Sequence, residues 1–154
     1  MSHPVLYSLQ HCPYAMRARM GLLLANQTVL IRAITMKDKP AEMLRLSPKG
    51  TVPVLVVDKL TIIDESLDIM IWALQKNDPY NLLYCDDTHT YSKMIELIRF
   101  NDKEFYGWLK KYKQAKRYHE ATEIEYRQQC EVFLMDIEQR LIQSNFLMGK
   151  SLSL

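Results

Sequence analysis

With 154 residues, 48% of them hydrophobic and 25% charged, the chain can bury a core without disulfides or metal, as an ordinary globular protein does. Its formal net charge of +2 argues against nucleic acid or an anionic membrane surface as a partner. Its three cysteines are an odd number without a Cys-x-x-Cys pair, so they predict free thiols in a reducing cytoplasm rather than a disulfide framework.

Metal binding and membrane insertion are not indicated either. The four histidines do not stand at ligand spacing to one another or to a cysteine pair, so no metal is expected. The longest apolar stretches, 20–25 and 52–57, are too short to span a bilayer, and the first residues lack a signal-peptide pattern. The sequence therefore predicts a cytoplasmic protein.

The first predicted elements lie before residue 36. The apolar run 5–8 predicts a short strand, and the β-branched, alternating run 28–34 predicts a second one. Between them, after Cys12-Pro13, apolar side chains recur at helical spacing and predict a helix. Its apolar stripe comprises Met16, Met20, Leu23 and Leu24, with Arg17 and Arg19 outside it.

The next forty residues predict a short helix, a hairpin and a longer helix. Pro40 suits the first turn of a helix over 41–45. The apolar runs 54–57 and 61–63, joined by a polar turn, predict an antiparallel hairpin. From Glu65 to about residue 75, apolar side chains again recur at helical spacing. The order β-α-β-α-β-β-α predicts an α/β domain over residues 1–76.

The sequence pattern changes after residue 76. Residues 77–86 contain turn-forming residues and predict a linker, after which residues 87–154 predict an all-α domain. Two amphipathic stripes support that domain: the first comprises Tyr91, Met94, Ile95, Ile98, Phe105 and Leu109, and the second, on a helix over 121–144, comprises Tyr126, Cys130, Phe133, Leu134, Ile137 and Leu141.

Cys12 is the first candidate for chemistry. A cysteine at a helix N-cap faces unpaired backbone N–H groups and the positive end of the helix dipole, both of which favour the thiolate. Pro13 suits the first helical position, where the N–H needs no partner. A cysteine can also pack as a small apolar residue, and the dipeptide alone favours that interpretation.

Two further motifs indicate the kind of ligand. A cis Pro53 after Val52, just before a strand, would expose backbone that can pair with an extended peptide. Glu65-Ser66 begins a helix whose free N–H groups suit a carboxylate, although simple capping is the alternative. Together with Cys12, these motifs indicate a small thiol peptide with charged ends.

Several motifs in order resemble the N-terminal domain of cytosolic glutathione S-transferases. The similarity is greatest to the cysteine-type branch, which is omega-like and glutaredoxin-2-like. It implies a thioredoxin-like α/β domain with a mixed four-stranded sheet, followed by an all-α domain. The motifs that carry it are the runs 6–8, 12–19, 37–40, 47–55 and 64–66, namely LYS, CPYAMRAR, KDKP, SPKGTVPVL and DES.

The resemblance also implies roles for individual residues. Cys12 would form a mixed disulfide with glutathione, and Val52, before a cis Pro53, would pair its backbone with the cysteinyl unit. The two charged ends of glutathione are assigned by the same resemblance: the γ-glutamyl end to Glu65 and Ser66, and the glycyl carboxylate to Lys39.

The position three residues after Cys12 is Ala15, so a neighbouring resolving cysteine is absent and a monothiol cycle that uses a second glutathione is favoured. We therefore expect a glutathione transferase with thiol transferase character, acting with glutathione as co-substrate on a small disulfide or electrophile. The family resemblance implies a homodimer. Two alternatives stay open: a conjugating transferase that uses the Tyr7 or Ser8 hydroxyl, and a non-enzymatic binding or regulatory protein.

The last residues, 149–154, resemble the family segment that precedes a central buried helix, with Ser153 as its N-cap. The resemblance thus implies that only the first helices of the all-α domain are present, in a truncated form. We expect the two long helices to expose apolar faces that further helices would cover.

Overall fold

The computed structural model describes residues 3–154, which fold as two compact units with their boundary between Tyr80 and Asn81. That boundary falls within the segment 77–86. Each unit has its own core and is described separately.

A mixed four-stranded sheet forms the centre of the first unit. Its strands follow the order β2-β1-β3-β4. The pair β1–β2 is parallel, with Leu6 opposite Ile31, whereas β1–β3 and β3–β4 are antiparallel. The predicted sheet and hairpin are confirmed, with strand bounds β1 Val5–Ser8, β2 Leu30–Ala33, β3 Val54–Val56 and β4 Ile62–Ile63.

Three helices complete the predicted order βαβαββα: α1 Pro13–Leu24, α2 Ala41–Leu46 and α3 Ser66–Lys76. The core lies around β1 and β3, where Leu6, Val54 and Leu55 are fully buried. The edge strand β2 is exposed along its length and is shorter than the predicted run 28–34. This unit is a thioredoxin-like domain.

The apolar stripe that predicts α1 is not the face that α1 buries. Met16, Met20 and Leu23 are 52%, 61% and 76% exposed. The buried face is formed mainly by small residues, Ala15, Ala18 and Gly21, together with Leu22. Small side chains let the helix backbones approach closely: a Cβ at Gly21 would lie only 2.6 Å from Cγ of Met70 on α3.

The second unit is helical. Helix α4 Thr88–Phe100 continues through a π-helical turn, Asn101–Phe105, into α5 Tyr106–Tyr118, and α6 spans Glu123–Gln143. The Asp87 carboxylate caps α4 by accepting the Thr90 backbone N–H at 3.0 Å. His119, in the left-handed region at φ 55°, ends α5. The predicted all-α character is confirmed.

Aromatic contacts hold the helices of this unit together. The ring of Phe133 on α6 lies 5.6 Å from that of Phe100 and 4.8 Å from that of Phe105. Part of the predicted second stripe is buried, at Cys130 and Phe133, whereas Leu134 and Leu141 are exposed.

The same unit presents apolar side chains to solvent, as expected of its long helices. Val132, Met135 and Ile142 are each about two-thirds exposed. A cleft of about 460 Å³ is lined by Val132, by other apolar side chains that include Leu97 and Phe100, and by charged side chains. Among residues 3–154, no helix has the length and apolar character needed to cross a membrane.

Candidate functional site

Cys12 occupies the N-cap position of α1, as predicted, with extended backbone angles of φ −84° and ψ 119°. Its side chain makes no capping hydrogen bond to the helix. Instead, Sγ donates across the site to the Val52 carbonyl oxygen, 3.7 Å away. The thiol is half-buried and packs against a core cluster that includes Ala15 and Val54.

The backbone opposite the thiol is the Val52-Pro53 segment. Its peptide bond is cis, as expected from the Val52-Pro53 motif. Val52 itself is only 7% exposed and belongs to the same core cluster. The predicted nucleophile and the predicted peptide-pairing backbone, 40 residues apart in the sequence, are therefore in direct contact.

Lys39 lies over the loop that leads into this segment. Gly50, with φ +61°, is in the left-handed region that favours glycine. A Cβ placed on Gly50 would lie 3.4 Å from Nζ of Lys39, so the ammonium group sits directly above the backbone two residues before Val52. A cation at this place suits a ligand carboxylate.

Glu65 and Ser66 stand at the N-terminus of α3, where Glu65 is the N-cap. Ser66 is 2% exposed. Its Oγ accepts hydrogen bonds from two nitrogens of Arg17, Nε at 3.2 Å and Nη2 at 2.7 Å. Arg17 lies on α1, between one and two helical turns after Cys12. The helix that begins after the thiol therefore also carries the cation that binds Ser66.

A second cation, Lys49, forms ion pairs with the acidic residues that precede α3, and these residues together with Ser66 and Arg17 form a polar cluster. Its Nζ lies 2.6 Å from Glu65 Oε1 and 3.1 Å from Asp64 Oδ1, and Ser47 Oγ donates to Asp64 Oδ2 at 2.8 Å. The Ser47 hydroxyl, followed by the Lys49 ammonium, holds the pKa of Asp64 below its usual value. Hydrogen bonds to Glu65 and Asp64 raise the pKa of Lys49.

The lowered pKa of Asp64 gives this cluster a testable pH dependence. Its carboxylate contributes stability that is present above about pH 4 and is lost as the pH falls through the folded-state pKa. We expect Asp64→Asn to lower the free energy of unfolding by about 1 kcal/mol at pH 7, and the difference from wild type to shrink towards pH 3. Urea titrations of both proteins at pH 7, 5 and 3 measure it. A difference that is equal at all three values would contradict this assignment.

The fold and this cluster can be compared with known proteins. A family model of the glutathione S-transferase N-terminal domain matches residues 6–80, the span that holds Cys12, Lys39, Val52 and Glu65.

Residues 6–80 therefore resemble a glutathione S-transferase N-terminal domain.

Solved structures extend the likeness to nearly the whole chain. A glutathione S-transferase from the Antarctic clam Laternula elliptica has a TM-score of 0.82 at 22% identity, covering 99% of this chain and 72% of that one. A glutathione transferase from Bombyx mori has a TM-score of 0.84 at 17% identity, with the same coverage. Glutathione S-transferase I bound with lactoylglutathione has a TM-score of 0.81 at 22% identity, covering 99% of this chain and 77% of that one. The chain thus has the glutathione S-transferase fold.

In the thioredoxin-like unit, the hydroxyl of Tyr7 forms its hydrogen bonds with Arg32 and Glu42 rather than with the Cys12 thiol. It donates to Glu42 Oε2 at 3.0 Å and accepts from Arg32 Nη1 at 3.1 Å, while Arg32 and Glu42 are themselves 2.6 Å apart. Burial, and then the bond to Glu42, raises the pKa of Tyr7. A hydroxyl that already donates to a carboxylate has no second hydrogen to offer a glutathione thiolate.

Ser8, the other hydroxyl of the conjugating alternative, is 2% exposed. Its Oγ accepts from Arg19 Nη1 at 2.5 Å. Of the three reactive groups considered, the Cys12 thiol is the one that forms a hydrogen bond with the Val52 backbone.

The other free thiols, Cys85 and Cys130, belong to the helical unit. Cys85 is exposed, whereas Cys130 is buried, and this burial raises the pKa of the Cys130 thiol. Residues 3–154 contain no group of three His, Cys, Asp or Glu side chains placed to hold a metal ion.

Sequence reasoning missed the two cations that touch the motif at the start of α3, Arg17 and Lys49. Arg17 stands outside the apolar stripe that predicts α1, and that pattern gives it no partner. Lys49 belongs to the run 47–55 that carries the family resemblance, but no role was assigned to it. The one signal that could have found them is the pairing of an acidic motif, Asp64-Glu65, with basic residues in the segments predicted to surround it.

Proposed function

We propose that this chain is a cysteine-type glutathione transferase of the omega-like and glutaredoxin-2-like branch, and that it catalyses glutathione-dependent thiol transfer through Cys12. The observation that carries the proposal is the 3.7 Å contact between Cys12 Sγ and the Val52 carbonyl beside cis Pro53. A tripeptide that pairs with this backbone brings its own sulfur to the nucleophile.

The reaction has two disulfide exchanges. In the first, the Cys12 thiolate attacks the glutathione sulfur of a mixed disulfide, so that a Cys12–glutathione disulfide forms and the substrate thiol leaves as a thiolate. In the second, a glutathione thiolate attacks that glutathione sulfur, which releases oxidised glutathione and restores the Cys12 thiolate. Ala15 is buried where a dithiol enzyme would need its second cysteine, which favours this monothiol cycle.

Glutathione itself would be held at three places. The Val52 backbone, before Pro53, would pair with the cysteinyl unit. Glu65 and Ser66 would hold the γ-glutamyl end, where the Arg17 guanidinium on Ser66 Oγ supplies a cation for its carboxylate. Lys39, above Gly50, would meet the glycyl carboxylate.

We also propose the organisation and setting that go with this activity. Residues 1–76 would form the glutathione-binding domain, 77–86 a linker, and 87–154 the first helices of the family's helical domain. The protein would work as a homodimer in the reducing cytoplasm, where free thiols such as Cys12 persist.

Trapping the intermediate tests this proposal. The reduced protein is mixed with oxidised glutathione, and intact mass and peptide mapping follow each cysteine. We expect one glutathione on Cys12, more rapidly than on the exposed Cys85, and its release by added glutathione. We also expect reduction of a small mixed disulfide to exceed conjugation of an aromatic electrophile. An adduct confined to Cys85, or conjugation as the dominant activity, would overturn the proposal.

A further inference from the structure

The loop between β1 and α1, residues 9–12, sets the position of the thiol. It follows Ser8, the buried last residue of β1. It ends at Cys12, whose backbone N–H donates to the Leu9 carbonyl at 3.3 Å. The carbonyl of Leu9 thus takes part in fixing where Cys12 starts the helix.

The side chain of Arg19, on α1, holds the same loop. Its Nη1 donates to Ser8 Oγ at 2.5 Å and to the Leu9 carbonyl at 3.2 Å, and its Nη2 donates to the Gln10 carbonyl at 3.1 Å. One planar guanidinium therefore joins three consecutive residues. The Leu9 carbonyl accepts from both Arg19 and the Cys12 N–H.

The chemistry of the group explains why an arginine suits this place. A guanidinium presents donors in a rigid, planar fork, whereas a lysine ammonium is a point charge on a flexible stem. The three acceptors belong to successive residues, so they are best reached by N–H groups that point in different directions within one planar group, as those of a guanidinium do. Because Arg19 lies on α1, which begins directly after Cys12, its guanidinium ties the start of the loop to the helix into which the end of the loop leads.

We propose that Arg19 is a positioning residue for Cys12, which it holds in place through its hydrogen bonds to residues 8–10. This inference rests on the proposed function in taking Cys12 as the nucleophile. Without the fork, the loop loosens and Sγ departs from its place beside Val52. The catalytic rate falls because disulfide exchange needs three sulfurs in line. The affinity for glutathione changes little, because Lys39, Val52 and Glu65 lie on other segments.

Two substitutions of Arg19 separate the contribution of the planar guanidinium from that of its positive charge. Arg19→Gln removes the charge and most donors, and we expect kcat for mixed-disulfide reduction to fall roughly 10- to 100-fold, as for a misplaced reacting group, while KM for glutathione stays near the wild-type value. Arg19→Lys keeps the charge without the fork, and we expect only partial recovery of kcat. Arg127→Gln is the matched control: this exposed arginine pairs with Glu131 on α6, and its loss should leave kcat unchanged.

A second measurement is independent of turnover. Alkylation of Cys12 by iodoacetamide is followed by peptide mapping, with the exposed Cys85 as internal reference. We expect Cys12 to react more slowly in Arg19→Gln and Cys85 to react at its wild-type rate. Should Arg19→Gln fail to fold, Arg19→Lys and Ser8→Ala, which removes one acceptor and leaves the two carbonyls, carry the same comparison.

Three results would overturn the inference. Unchanged kcat and unchanged Cys12 alkylation in a folded Arg19→Gln protein would show that the fork does not position the thiol. Full recovery in Arg19→Lys would assign the effect to charge. A change in KM alone would make Arg19 part of the binding site. If Cys12→Ser retains thiol transfer, the proposed function fails, whereas the alkylation rates still decide the role of Arg19.

Discussion

Cys12→Ser is expected to lower the rate of glutathione-dependent disulfide reduction by at least about 10³-fold, the scale on which removal of a covalent nucleophile acts. A serine hydroxyl is not ionised at neutral pH and cannot form a disulfide with glutathione, so neither exchange can proceed. The side chains are nearly equal in size, and Cys12 makes no capping hydrogen bond that serine would lose. Steady-state rates with a small mixed disulfide measure the loss, and circular dichroism checks the fold.

The matched control is Cys85→Ser. Cys85 is exposed and lies in the helical unit, so its replacement should leave the rate unchanged. Conjugation of an aromatic electrophile, run on the same proteins, separates the reaction classes. A Cys12→Ser protein that still reduces the mixed disulfide at the wild-type rate would remove Cys12 from the centre of the reaction. If both activities are absent from the wild type, the chain is better explained as a binding or regulatory protein.

Gly21→Ala is expected to lower the free energy of unfolding by about 1–3 kcal/mol, the usual cost of overpacking a core. The added Cβ would lie 2.6 Å from Met70 Cγ and 3.0 Å from Met70 Cα. Because the latter is a backbone atom, a rotation of the Met70 side chain cannot relieve the contact. Helices α1 and α3 must move apart, which loosens the packing that supports both Cys12 and Ser66 at their N-termini.

Gly107→Ala is expected to have the opposite effect on the free energy of unfolding. Gly107 lies in α5, and a Cβ there meets nothing within 4 Å. The change should raise the free energy of unfolding by about 0.5–1 kcal/mol, because alanine favours the helix and glycine does not. Urea unfolding of the two variants measures the signs. Stabilisation by Gly21→Ala would show that the helices have room at that point.

Local chemistry was enough to predict most of the thioredoxin-like unit. Pro13 and Pro40 mark the starts of α1 and α2, since proline lacks the N–H that a first turn leaves unpaired. The β-branched and apolar runs mark the strands and the hairpin. The place of Cys12 at an N-cap and the cis bond before Pro53 also agree with the structure.

Tertiary contacts account for what sequence reasoning could not predict. The buried face of α1 is made largely of Ala15, Ala18 and Gly21, whose small side chains give a weaker apolar signal than the exposed Met16 and Met20. That face is favoured by the close approach of α3, which no local pattern encodes. The reach of Arg17 to Ser66, 49 positions away, has the same origin.

The π-helical turn Asn101–Phe105 has a consequence for the phase of the long helix that contains it. Phe100 and Phe105 both contact the ring of Phe133, yet they are five positions apart. In a regular α-helix such residues point about 140° away from each other, since each residue advances the helix by about 100°.

The wider turn absorbs one extra residue, as π-bulges do, and so returns Phe105 towards the direction of Phe100. The segment from Thr88 to Tyr118 is therefore one continuous helix, in which the side chains after the π-helical turn are rotated about the helix axis relative to those before it. It is not a pair of helices joined by a loop that could change length freely. An insertion or deletion of one residue within 101–105 would rotate α5 about its axis by about 100°. The side chains of α5 that pack against α6 would then all turn away from it together.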